Sequence, residues 1–101
     1  MLKPKVMSIV WTNSSLKNAI SIKGYLLTHF SDKEVDNFFA ILKSFEIAVC
    51  AFPNLYPRSL VKQNMRRAVL TNVLSAYYRV HKGNIEVIAI LDNRCDAEKW
   101  I

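Results

Sequence analysis

At 101 residues, 51% of them hydrophobic, the chain is long enough for one compact core and too short for two ordinary domains, so residues 1–101 are expected to form a single domain. Fourteen Lys and Arg against eight Asp and Glu leave a formal charge of +6, which favours a polyanionic partner: nucleic acid, an acidic protein segment or an anionic membrane surface. Apolar stretches such as 85–91, broken by Glu86, fall well short of the roughly 20 residues of a membrane span, and no small-residue cleavage site follows Lys3 and Lys5; a cytoplasmic location is expected.

Val6 to Trp11 is apolar and β-prone, and Thr12-Asn13-Ser14-Ser15 offers several helix-capping side chains, so a strand leading into a helix is expected. From Leu16 onward, Leu16, Ala19, Ile20, Leu26, Leu27 and Phe30 fall in one stripe at about 100° per residue, which predicts an amphipathic helix with that stripe as its buried face. Lys23 projects into the stripe and must snorkel or find a partner, and Gly24 lets another helix approach closely. Ser31-Asp32-Lys33-Glu34 has the form of a capping box, with Phe30 and Val35 at the positions of a hydrophobic staple, so a second helix and a helical hairpin are predicted. Its apolar face reads Val35, Phe38, Phe39, Leu42, Phe45, Val49 and Phe52, and Pro53 ends it.

Residues 53–64 have no sustained period and read as a loop carrying Arg58 and Lys62. Three strands are predicted beyond it. The first is Met65 to Leu70; the second, Val73 to Val80, puts Leu74, Ala76, Tyr78 and Val80 on one face and Ser75, Tyr77 and Arg79 on the other. The third, Ile85 to Leu91, is apolar on both faces and therefore central, joined to its predecessor by a turn within Lys82-Gly83-Asn84. Cys50 and Cys95 lie too far apart for a disulfide framework and read as reduced thiols. Together with His29 and His81 they never reach a paired-ligand spacing, so no metal is expected, and no glycine-rich phosphate loop suggests a cofactor.

The α+β order β-α-α-β-β-β, a helical hairpin on a small, mainly antiparallel sheet, is joined by several motifs: Asp36-Asn37-Phe38-Phe39, Phe52-Pro53-Asn54-Leu55-Tyr56-Pro57, Arg66-Arg67, Tyr77-Tyr78-Arg79-Val80 and Leu91-Asp92-Asn93-Arg94-Cys95-Asp96. Over nearly the whole chain this resembles the RelE/ParE superfamily of toxins from type II toxin–antitoxin systems, in its ParE-like branch. The usual ending Asp-x-Arg-x-Asp-Pro departs here at Ala97, which stands where proline is common. The resemblance implies a growth-inhibiting toxin, of the kind that stabilises plasmids, held inactive by a cognate antitoxin. A partly disordered antitoxin segment would fold on the toxin, and DNA would be reached only through the antitoxin. An apolar groove beside the hairpin, flanked by Lys and Arg, would suit an acidic amphipathic segment.

Such toxins divide between ribosome-dependent cleavage of mRNA and inhibition of DNA gyrase. Metal-free RNA cleavage needs a base for the 2′-hydroxyl, an acid for the leaving oxygen and cations for the phosphate. Arg66, Arg67, Arg79 and Arg94 supply cations whose planar forks suit phosphate, and Tyr77 and His81 share a strand face with Arg79. Each has a packing explanation as well: with a Lys82-Gly83 turn Arg79 faces Glu86, with a Gly83-Asn84 turn His81 does, and Arg66 and Arg67 point to opposite faces. The nucleases commonly carry a tyrosine or histidine at or just after the end of the last strand, and residues 95–101 contain neither. The leading expectation is therefore a non-enzymatic toxin that contacts gyrase, with Arg66, Arg67, Arg94 and Trp100 as target- or partner-binding residues; Asp92 and Asp96 are competing partners for Arg94. The alternative is a metal-independent endoribonuclease acting on the ribosome, with Arg67, Arg79 or Arg94 on the phosphate and Tyr77 or His81 moving protons.

Overall fold

Thr12 makes the first junction: extended at φ −67°, ψ 161°, it ends the strand Ser8–Trp11 (β1), and its Oγ1 accepts from the Ser15 amide to cap the helix Asn13–His29 (α1). The computed structural model describes residues 7–62 and 64–101, so the expected strand start at Val6 lies outside the described residues. After Phe30 the chain enters the helix Asp32–Ala51 (α2), which stops ahead of Pro53 as the missing proline donor requires. The strands Arg66–Val69 (β2), Leu74–His81 (β3) and Asn84–Asp92 (β4) follow, and a short helix, Ala97–Trp100 (α3), closes the chain. The order β-α-α-β-β-β is the expected one, and α3 is the element that sequence periodicity missed.

The sheet runs β1-β4-β3-β2, with β1 parallel to β4 and the other pairings antiparallel. β4 is thus central, as its two apolar faces predict. Lys82 at φ 50° and Gly83 at φ 78° form a two-residue turn that pairs His81 with Asn84 and Arg79 with Glu86, which settles the two open registers in favour of Arg79 facing Glu86. A register shift between Tyr77 and Tyr78 leaves Ile88 outside the ladder, and its carbonyl accepts from the Thr12 hydroxyl at 3.2 Å.

The alternation predicted for β3 is observed. Ala68, Ala76, Tyr78, Ile85, Val87 and Ile90 pack against Phe38, Leu42, Phe45, Val49 and Cys50 of α2. On the opposite face Tyr77, Ala89 and Leu91 lie beneath Ala97, with Cys95 and Ile101 beside them. Cys50 is a buried core thiol, raised from its ordinary pKa by desolvation and by Glu46; Cys95 is half-buried, and both are free.

Three local expectations are corrected. Ser31 is the N-cap of α2, but its side chain makes no capping bond, because its own backbone carbonyl already takes the Glu34 amide at 3.1 Å. Phe30 does not close a staple: it stays 61% exposed and turns to Tyr25, with ring centroids 6.2 Å apart. Phe39 and Phe52 are exposed, the first on the flank of α2 and the second beyond its last turn.

The largest correction concerns α1. The residues that meet the core are Ser15, which is buried, and Ala19, Ile22 and Leu26, while Leu16, Ile20 and Leu27 of the predicted stripe face solvent. The cause is the edge of β4. β1 pairs with it only as far as Val87, and farther along the Ile90 amide donates to Asn18 Oδ1 at 3.1 Å. An unpaired buried amide costs about 1–3 kcal/mol, so the helix turns its polar Thr12–Asn18 side to the sheet edge and carries part of its apolar arc outward.

Candidate functional site

Where β1 ends, α1 and the far ends of β3 and β4 diverge, leaving an open groove of about 600 Å³. Ile22, Leu26 and Ile90 form its floor at the margin of the core. Tyr25 and Phe30 stand on the helical side, Val73 and Leu74 on the strand side. Tyr25 is further stacked on His29 at 4.2 Å between centroids, so the hairpin end of the groove carries a cluster of exposed aromatic rings. Rigid aromatic side chains beside an apolar cleft are the composition of binding hot spots, because they bury large area for little lost conformational freedom.

Arg94 and Asp92 close the groove's strand end. Arg94 Nε lies 3.0 Å from Asp92 Oδ1 and Nη2 lies 2.9 Å from Oδ2, a bidentate fork, and the Arg94 amide donates to Oδ1 at 2.8 Å. These bonds hold the Asp92 carboxyl at about 2. The Arg94 side chain is nevertheless 86% exposed, so its outer edge is open to solvent. The fork predicts a pH window. A carboxylate with a depressed pKa contributes stability above its ordinary pKa of 3.8, and that contribution is lost as pH falls through about 2. In an NMR titration, Arg94→Ala is expected to return the Asp92 midpoint towards 3.8; a midpoint that stays near 2 would show that the fork is not its cause.

The expected groove beside the hairpin is thus present, with one difference. Its lining holds a single cation, Arg94, already paired, rather than a basic rim.

In three dimensions the chain is similar to a protein of the chromosomal ParDE TA system from P. aeruginosa, with a TM-score of 0.74 at 17% identity, covering 87% of this chain and 97% of that one. The chain has a ParE-like fold. It is also similar to the conserved hypothetical protein HP0894 from Helicobacter pylori, with a TM-score of 0.54 at 14% identity, covering 87% and 96% of the two chains. No protein-family model and no curated protein matches the sequence.

The ParE-like sheet separates the arginines predicted from the sequence. Arg66 lies on the helical face, its Nη1 donating to the Tyr56 carbonyl at 2.7 Å, in a small depression shared with Arg58, Asn64 and Arg79. Arg67, on the other face, donates from Nε to Ser75 Oγ at 3.2 Å and from Nη2 to Asn93 Oδ1 at 3.1 Å. Arg79 is held by Glu86 at 2.8 Å. Neither Arg66 nor Arg67 pairs with a carboxylate among the described residues; a backbone carbonyl takes that place for Arg66, and a hydroxyl and a side-chain amide for Arg67.

Of the proton-transfer candidates, Tyr77 is only 7% exposed and packs under the C-terminal segment, and His81 is exposed at the hairpin turn. Trp100 is exposed on α3, and among the groove's lining residues Arg94 alone belongs to the predicted set. Asn18, Ile22, Tyr25, Val73 and Leu74 went unrecognised as site residues. The available signal was Asn18, a polar residue next to an apolar stripe with no charge to solvate.

Proposed function

We propose that the chain is the toxin of a type II toxin–antitoxin pair, acting in the cytoplasm on DNA gyrase by protein contact, and neutralised by a cognate antitoxin that lays an apolar segment in the groove beside α1. The observation that carries this reading is the likeness, over nearly the full length of both chains, to a protein of a ParDE system. The groove supports the partner, since it offers an apolar floor, aromatic walls and an exposed guanidinium for a carboxylate at its end. Contact rather than catalysis is favoured by the side chains on the sheet: Arg67 and Arg79 are engaged within the fold, and Tyr77 is packed away from solvent. General acid–base chemistry requires such groups within hydrogen-bond reach of substrate.

The test uses the full chain. Purified protein added to gyrase and relaxed plasmid is expected to abolish supercoiling and accumulate cleaved DNA, and induced expression is expected to arrest growth. Unaffected gyrase would overturn the target, and messenger cut on toxin-loaded ribosomes would put the nuclease in its place. Growth without arrest would overturn the toxin assignment itself.

A further inference from the structure

The rotation of α1 that frees Leu16, Ile20 and Leu27 creates a second surface, turned away from the groove. On a helix with 3.6 residues per turn these three side chains fall within about 40° of arc, Gly24 sits about 40° farther round, and Lys17 and Lys23 bracket the row on its two sides. Ile20 is 68% exposed, and Leu16 and Leu27 are nearly half exposed. A Cβ placed on Gly24 would meet nothing within 4 Å among the described residues, so no described element makes the close approach that this glycine permits. A glycine in a helix interior costs roughly 1 kcal/mol relative to alanine, and no contact among the described residues offsets it at that position.

We propose that this ridge of α1 is a docking surface for an acidic amphipathic helix of a partner protein. The charge decides the occupant. Residues 13–29 hold no carboxylate, and the charges that α1 itself sets beside the apolar row are the cations Lys17 and Lys23. A second copy of the chain meeting ridge to ridge would bring Lys17 and Lys23 of both copies into one interface, where like charges oppose association. A helix with an apolar stripe bordered by Glu or Asp meets the row with opposite charges on both sides. The partner's backbone can cross closest at Gly24, where no side chain intervenes. The proposal rests on the function given above only in taking this helix to belong to the neutralising protein; the ridge lies on a different face from the groove and is tested separately.

The probe is a synthetic amphipathic helical peptide with leucines on one face and glutamates along both borders, titrated into the isotope-labelled full chain. Amide shifts are expected along Leu16–Leu27 on the ridge side. Ile20→Ser with Leu27→Ser is expected to weaken binding about tenfold or more, and Lys17→Glu with Lys23→Glu to do likewise while creating affinity for a lysine-bordered peptide. Phe30→Ser, in the groove, is expected to leave the peptide's affinity within about twofold. All five positions are exposed, and thermal melts superimposable on the parent confirm that the variants are folded. Shifts confined to the groove, or affinity indifferent to charge reversal, would overturn the proposal. So would a chain that dimerises and is made monomeric by Ile20→Ser, or a ridge that binds phosphatidylserine vesicles and not the peptide. A protein that arrests growth and is neutralised yet fails these titrations loses the ridge and keeps the function; one that binds the peptide without arresting growth does the reverse.

Discussion

Tyr78→Ala is expected to destabilise the chain by about 3–5 kcal/mol, the range for removing a large aromatic from a packed core. Tyr78 is fully buried where sheet and α2 meet, with Phe45 edge-on at 5.8 Å and Tyr56 edge-on at 6.2 Å between centroids. Its hydroxyl donates to the Pro53 carbonyl at 2.8 Å, tying the centre of β3 to the residue that ends α2. Burial pushes that hydroxyl's pKa up, so it stays a neutral donor across the ordinary pH range. Tyr78→Phe keeps the ring contacts and loses one hydrogen bond, for which about 1 kcal/mol is expected. At roughly 4–8 °C of midpoint per kcal/mol in a chain of this size, thermal melts distinguish the two variants. If both cost the same, the hydroxyl rather than the packed ring dominates and the account of the core is wrong.

What the sequence revealed depended on whether neighbours along the chain or across it set the outcome. The period-2 alternation of β3 predicted both faces correctly, because side-chain direction in a strand is fixed by position alone. The double apolar character of β4 predicted its central place. The Lys82-Gly83-Asn84 turn admitted two registers, and only the positive φ of both Lys82 and Gly83 selects one. For α1 the count of apolar residues gave a helix and misplaced its face. Which side turns inward was decided by the amide of Ile90, 72 residues beyond Asn18, at a sheet edge that no local pattern reveals. The site inherits that error: the groove and the ridge lie on opposite flanks of the true inner face. The place of Arg94 at the strand end of the groove was legible because it follows the last strand; the meeting of Tyr25 with Val73 and Leu74 was not, because it depends on how α1 is rotated.

Arg67 draws together the two sides of this problem, since a residue expected to meet a partner is held by a network within the chain. Its anchor is Asn93. The Asn93 side-chain oxygen accepts from Arg67 Nη2 and from the Ser75 hydroxyl, while its Nδ2 donates to the Thr71 carbonyl at 3.2 Å and the Asn72 carbonyl at 3.0 Å. One amide thereby joins β2, β3, the loop between them and the segment leaving β4, and its own backbone amide donates to the Val73 carbonyl at 2.8 Å. Asn93→Leu is expected to cost about 2–4 kcal/mol, because it leaves the Nη2 of the half-buried Arg67 and the buried Ser75 hydroxyl without their acceptor as well as removing the bonds to the loop. Asn93→Asp keeps the acceptor, adds a charge opposite Arg67 and loses only the two donations to the loop, so about 1 kcal/mol is expected. In urea denaturation the double variant Arg67→Leu, Asn93→Leu should be less damaging than the two single losses added together, since removing both partners leaves no stranded charge. Strict additivity would show that Arg67 and Asn93 act independently, and would return Arg67 to the surface as a residue free for a partner.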